Sequence, residues 1–193
     1  MDLISKTIDA GSGITLRPLE RRDARRLFEL TEAGRERLGR WLPWVEKTWS
    51  VHDTQDFVSA SRRMMREGTG LNFAIWVEGR IAGVIGFNTI NRLHRSVTIG
   101  YWLGDGYEGR GIMTACAQAL TDHAFIFLLA ERVEIRAATG NLKSRAIPER
   151  LGFSLEGILR CNERLPSGFV DHCVYSMIRD EWERRMREKH AGN

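Results

Sequence analysis

Gly104-Asp105-Gly106-Tyr107-Glu108-Gly109-Arg110-Gly111 lies between a strand-like run, Ser96-Val97-Thr98-Ile99-Gly100-Tyr101-Trp102-Leu103, and a helix-like run opening Ile112-Met113-Thr114-Ala115-Cys116-Ala117. A strand, a glycine-rich loop and a helix in that order offer free backbone N–H groups and a positive helix end to an anion, usually a phosphate. What precedes the loop decides the fold. Asn72-Phe73-Ala74-Ile75-Trp76-Val77 and Ile81-Ala82-Gly83-Val84-Ile85-Gly86-Phe87 flank Glu78-Gly79-Arg80, which reads as a tight hairpin. The third strand follows through a polar turn at residues 91–95. Three consecutive antiparallel strands therefore lead into the loop.

Beyond the loop, a helix is expected to about Leu129, with Ala115, Ala119, Leu120, Ala124 and Phe127 as its buried stripe. Arg132-Val133-Glu134-Ile135-Arg136-Ala137 is then a strand placed for a parallel β-α-β crossover. Asn141 to Leu151 is a short helix with Gly152 as its C′ residue. Residues 153–159 and 170–178 form a closing antiparallel pair, joined by a loop containing Pro166-Ser167-Gly168. A charged helix from Arg179, expected to fray, ends the chain.

Before the hairpin, residues 14–19 alternate like a short strand that Pro18 stops. Asp23 is expected to N-cap a helix reaching about Leu38, with Ala24, Leu27, Phe28 and Leu30 inward. A tryptophan-rich loop (Trp41, Pro43, Trp44, Trp49) follows. A second helix opens near Asp53 or Thr54 and runs to Arg66, carrying Phe57, Val58 and Met64 or Met65 inward. No repeat or linker divides the chain, so one domain is expected over 1–193, with its core at about 14–182.

With 193 residues, 42% hydrophobic and 28% charged, the chain has the composition of a globular domain with a full core. No apolar run approaches the roughly 20 residues of a membrane span, and Met1-Asp2-Leu3-Ile4-Ser5-Lys6 lacks a signal-peptide stretch, so a cytoplasmic protein is expected. Cys116, Cys161 and Cys173 are odd in number, without CxxC spacing, as for reduced thiols. The arginines from Arg21 to Arg40 are interleaved with acids at helical spacing and read as a solvated face. No direct nucleic-acid binding is expected from them. The net charge of +4 suits a polyanionic ligand or an acidic protein substrate.

The loop admits three readings. Gly104-x-Gly106-x-x-Gly109 matches the dinucleotide fingerprint, but Gly109 and Gly111 would then fall in the first helical turns, at about 1 kcal/mol each. That fingerprint also belongs to the opening strand of a parallel unit. A P-loop requires Gly-Lys-Ser/Thr, and Gly111 is followed by Ile112. The third reading takes Glu108-x-x-Gly111-x-Met113, which resembles the Gln/Arg-x-x-Gly-x-Gly/Ala signature of the GNAT acetyltransferases, with Glu108 and Met113 as departures. The departures are compatible with a loop that works through backbone N–H groups, provided that Glu108 points away from the phosphates. Further segments resemble the Rim-type N-acetyltransferases within that superfamily. They are Trp41-Leu42-Pro43-Trp44, Ile99-Gly100-Tyr101-Trp102-Leu103, Asn141-x-x-Ser144-Arg145-Ala146-Ile147-Pro148-Glu149-Arg150-Leu151-Gly152-Phe153 and Asp171-His172-x-x-Tyr175-Ser176.

The resemblance implies an α/β (α+β) GNAT fold: a mixed, mostly antiparallel twisted sheet of about seven strands, flanking helices and a splayed central strand pair. It implies acetyl-CoA as cosubstrate, with no metal. Backbone groups of Gly109, Arg110, Gly111, Ile112, Met113 and Thr114 would hold the pyrophosphate. The pantetheine arm would lie between the splayed strands, against Tyr101, Trp102 and Leu103, with the N–H near Tyr101 polarising the thioester. Asn141 would bind the arm, its plain alternative being a helix N-cap. Many GNAT enzymes carry a tyrosine where this chain has Pro148. As in the Rim-type enzymes, Ser144 would instead protonate the leaving thiolate, and Glu163 would act as base through water. A plain ion pair with Arg160 or Arg164 is the alternative for Glu163. His172 and His94 are further bases by chemistry, and Trp41, Trp44 and Trp49 are candidate walls of an acceptor groove.

The favoured acceptor is the N-terminal amine of a ribosomal protein, the substrate class of the Rim-type enzymes. A small amine (polyamine, amino acid or aminoglycoside) and a non-catalytic CoA-binding role remain open, and a homodimer is common among similar proteins.

Overall fold

The computed structural model describes residues 7–191; residues 1–6, read above for their lack of a targeting stretch, and residues 192–193 lie outside it. Eight strands occur among the described residues: β1 (Ile8–Gly11), β2 (Ile14–Pro18), β3 (Leu71–Val77), β4 (Arg80–Asn91), β5 (Ser96–Leu103), β6 (Arg132–Ala138), β7 (Ser154–Leu165) and β8 (Gly168–Ile178). They form one open sheet in the order β1-β2-β3-β4-β5-β6-β8-β7. Helices are α1 (Ala24–Ala33), α2 (Arg35–Gly39), α3 (Val51–Glu67), α4 (Ile112–Ile126), α5 (Leu142–Arg150) and α6 (Arg179–Ala191). Every neighbouring pair is antiparallel except β5–β6, which α4 connects in parallel.

The sheet carries a helical layer on each face. On one, Cys116, Ala117, Leu120 and Ala124 of α4 pack with Phe73, Ile75, Ile85, Ile99 and Ile135. On the other, Leu27, Leu30 and Val58 of α1 and α3 meet Ala74, Ile81 and Val84. Both faces of β3 and β4 are thereby buried, so these strands read as near-continuous apolar runs rather than as alternation.

Several expectations change. The expected count of about seven strands becomes eight, because Ile8–Gly11 pairs with β2. Its turn places Gly11, Ser12 and Gly13 at positive φ, so this segment, unread in the sequence, closes a hairpin. The expected helix from Asp23 to Leu38 breaks at Gly34, between α1 and α2. Asp23 stands at the N-cap of α1 as expected but makes no side-chain cap bond there; its carboxylate accepts from the Glu20 N–H at 2.8 Å and closes a short 3₁₀ turn. Ser50 caps α3 in a reciprocal box with Asp53, three residues before the expected opening. Phe57 and Phe127 are exposed rather than inward. β7 continues through residues 160–165, expected as loop, to a tight turn at Pro166-Ser167.

One irregularity positions everything functional. β5 and β6 pair only from Ser96↔Arg132 to Ile99↔Ile135. Beyond that, β5 stays with β4 as far as Gly83↔Leu103, while β6 stays with β8 as far as Ala138↔His172. Each strand is held by its other neighbour, so the sheet opens as a V.

Candidate active site

The anion cradle lies at the mouth of this opening. Gly109 and Gly111 take φ of 72° and 75°, conformations that L side chains rarely adopt, and a Cβ on either would meet nothing within 4 Å. Backbone curvature, not crowding, therefore selects glycine here. Gly111 is the N-cap of α4 and carries no side chain to accept its first amides. The Ala115 N–H bonds to Gly111 O at 3.0 Å, which leaves the amides of Ile112, Met113 and Thr114 without intrahelical acceptors. Free amides, a helix N-terminus and open space fit a pyrophosphate. Arg110 is placed differently: its guanidinium turns towards Glu78, 3.7 Å away in the β3–β4 turn, so only its backbone belongs to the cradle.

A cleft of about 1750 Å³ runs from the cradle through the open V. Tyr101, Trp102, Leu103, Gly109, Gly111, Ile112, Met113, Thr114, Asn141, Ser144 and Glu163 all line it, which brings together every expected site residue except Arg110. The Gly104 N–H bonds back to Ala82 O at 2.8 Å, on the β4 side. Strand alternation therefore turns the backbone groups of Tyr101 and Leu103 the other way, into the opening.

Asn141 serves as the N-cap of α5, accepting from the Ser144 N–H at 3.2 Å. The same bond fixes the first turn of α5, and with it Ser144. The Ser144 hydroxyl lies 3.4 Å from the Tyr101 hydroxyl, which in turn donates to Ser144 O at 3.2 Å. Burial pushes the Tyr101 phenol up to about 12, keeping it protonated at neutral pH. The sequence reading valued Tyr101 for its backbone and missed this hydroxyl pair. Alternation along β5 and the known start of α5 do not reveal that the two hydroxyls meet.

At the far end, Glu163 enters the cleft because β7 bulges. Arg160, Cys161 and Asn162 together stand opposite Asp171 alone, between Leu159↔His172 and Glu163↔Val170. Cys161 adopts φ 51°, and its N–H is held by Asp171 Oδ1 at 2.8 Å. Glu163 Oε2 lies 3.3 Å from Nε2 of the buried His172. Asn162 Nδ2 is 3.2 Å from His172 Nδ1; with the amide donating, the imidazole proton sits on Nε2, which is buried beside Glu163 but makes no hydrogen bond among the described residues. Neither Arg160 nor Arg164 pairs with Glu163 among the described ion pairs. His94 does not line the cleft.

The tryptophan loop divides. Trp41 and Trp44 line the cleft, Trp44 packing 5.6 Å from Trp102. Trp49 is 69% exposed and stacks on Arg35 instead. Cationic groups missed by the sequence reading join the wall: Arg37, Arg40, Arg136, Lys143 and Arg150, the last donating to Thr114 Oγ1 at 2.9 Å beside the cradle. Among the described residues, no group of three or more His, Cys, Asp or Glu could hold a metal ion.

A sheet wedged open to receive a long ligand, beside a helix N-terminus free to take its phosphates, is the plan of a coenzyme A-dependent acyltransferase. The model of the GNAT acetyltransferase domain matches residues 14–154, and the chain belongs to that family. Among its relatives are YdaF of Bacillus subtilis (strain 168), provisionally described as a ribosomal N-acetyltransferase, and the ribosomal-protein-serine acetyltransferase of Escherichia coli (strain K12). The first is 36% identical over 92% of this chain and 97% of its own length. The second is 29% identical over 92% and 99%. The solved structure of RimL, a ribosomal L7/L12 alpha-N-protein acetyltransferase in complex with coenzyme A, matches with a TM-score of 0.88 at 27% identity, covering 91% of this chain and 99% of that one.

Proposed function

We propose that this acetyltransferase moves acetyl from acetyl-CoA to the N-terminal α-amine of a ribosomal protein in the cytoplasm. The observation that carries the reading is the open V between β5 and β6, with a phosphate cradle at one end and the Glu163–His172 pair at the other. The likeness to two ribosomal-protein acetyltransferases over nearly the whole chain supports the acceptor class.

The thioester of acetyl-CoA supplies an activated acetyl group; the rest falls to this chain. The amides of Ile112, Met113 and Thr114 anchor the phosphates. The Tyr101 N–H, directed into the opening, polarises the acyl oxygen. An α-amine with a pKa of about 8 is mostly protonated at neutral pH, so a base has to take its proton before attack. Glu163 takes it, directly or through water, with the His172 ring 3.3 Å from its carboxylate. Ser144 gives a proton to the departing thiolate and recovers one from solvent, while the Tyr101 hydroxyl, which accepts from Ser144 Oγ at 3.4 Å, fixes where that hydroxyl stands. Attack by the amine is direct, because the thiols are not built for a covalent route. Cys116 lies in the core with its pKa pushed up to about 12 by burial, Cys173 is buried, and Cys161 is exposed but does not line the cleft.

The charge of the cleft argues against a polyamine. Of its two lining carboxylates, Glu108 is already engaged by Arg37 and Lys143, which leaves Glu163 alone to face several ammonium groups. The lining cations, of which Arg40 and Arg136 are themselves paired with Glu36 and Glu134, outnumber the carboxylates and suit an acidic peptide better. CoA release measured over N-terminal peptides, polyamines, amino acids and aminoglycosides tests the reading. Turnover is expected with peptides. Turnover with a polyamine alone would move the acceptor class, and none with any amine despite CoA binding would make this a non-catalytic binding domain.

A further inference from the structure

Glu108 sets a problem that the cradle alone does not solve. It stands in the anion-binding loop where the family signature carries Gln or Arg, and Asp105 adds a second carboxylate three residues before it. Both charges oppose a diphosphate. The structure brings one guanidinium to both. Arg37 of α2 donates through Nε to Asp105 Oδ1 at 2.7 Å, through one terminal nitrogen to Leu103 O at 2.9 Å, and through the other to Glu108 Oε1. Lys143, at the start of α5 across the opening, takes Glu108 Oε2 at 3.0 Å. Both oxygens of Glu108 are thus turned to cations.

Arg37 arrives from 66 to 71 residues earlier in the chain, so this arrangement is tertiary. Gly34 leaves room for it. It breaks the α1–α2 helix, and a Cβ there would lie 3.0 Å from Asp105 Oδ1 and 3.1 Å from an Arg37 terminal nitrogen. The rigid fork of an arginine can hold three acceptors at once, which a lysine ammonium on its flexible stem does less well. Because one of those acceptors is the Leu103 carbonyl, the same group that neutralises the loop also fixes it to the end of β5.

We propose that Arg37 is a positioning residue for coenzyme A, compensating the Glu108 carboxylate and anchoring the cradle loop to the open end of β5, a role that rests on the coenzyme A reading above. Arg37 touches neither the acyl group nor the amine in this role. It acts through Glu108, Asp105 and the Leu103 carbonyl.

The test is a double-mutant cycle in the full chain, with CoA as the calorimetric ligand. Arg37→Ala should weaken CoA binding by about tenfold, within the range for residues sharing one ion-pair network. It should leave kcat at saturating acetyl-CoA within about twofold, since uniform binding alone is lost. Glu108→Gln added to Arg37→Ala should recover most of the lost affinity, because the uncompensated charge is gone. An equal loss in the single and double variants would overturn the proposal, leaving Arg37 a purely structural residue. If Arg37→Ala does not fold, Arg37→Lys takes its place in the cycle, and its loss should likewise be recovered by Glu108→Gln. Failure of the unmutated protein to bind CoA would instead overturn the reading beneath it.

Discussion

The two ends of the cleft are built from different materials. The cradle end is backbone: left-handed glycines, the free amides of α4 and the outward groups of β5. The far end is side chain: Glu163, Asn162 and His172 assembled by a bulge, with Trp41 and Trp44 brought from a distant loop. Backbone recognition depends on φ and tolerates a neutral change of side chain, as Met113 illustrates, whereas the charge of Glu108 is met by Arg37 and Lys143. Side-chain chemistry depends on a proton at a stated atom and tolerates little. The Ser144–Tyr101 pair lies between the two, a side-chain device set by an N-cap.

That contrast is open to measurement. The largest effect is expected at the proton donor: Ser144→Ala should lower kcat by about 10²-fold or more, with CoA affinity kept. An unchanged kcat would take Ser144 out of the mechanism. Next comes Glu163→Gln, expected to lower kcat/KM by about tenfold or more and to flatten its dependence on pH. A profile like that of the unmutated enzyme would assign the base elsewhere. On the backbone side, Gly111→Ala should cost about 1–2 kcal/mol by thermal or denaturant unfolding, because alanine is strained at φ 75°. It should also weaken CoA binding, and loss of kcat without loss of CoA affinity would erase the distinction between the ends.

The smallest effect concerns the scaffold. Arg132 and Ser176 hold Glu156 down to about 2, well below its ordinary value. A depressed carboxylate stabilises the fold above its unfolded pKa, and that contribution fades as pH falls from about 4.5 towards 2. Glu156 is partly exposed, so solvent screening keeps the contribution small. Glu156→Gln should therefore lower stability slightly at neutral pH and shed part of the acid dependence, with kcat unchanged.

How much could be read in advance followed the same division. The order of elements, the boundaries of β5, the start of α4 and the N-cap role of Asn141 were legible, because turns, caps and helix starts are written in neighbouring residues. The breaks at Gly34 and in β7 were not. Gly34 breaks a helix whose periodicity continues past it, and the contact that follows the break, Arg37 on Asp105, lies far along the chain. The β7 bulge turns on Asp171 capping Cys161 from the opposite strand, a bond that no local pattern announces.

The sequence by itself determined the local conformations: glycines where φ is positive, a helix start with free amides, and three antiparallel strands leading into them. Tertiary structure alone decided that β5 and β6 part after Ile99 and Ile135, since each strand's other neighbour competes for it. It also decided which charges meet in the cleft, Arg37 on Glu108 and His172 on Glu163. The first kind of information concerns dihedral angles within a few residues. The second concerns which surfaces remain unpaired once the whole sheet has formed.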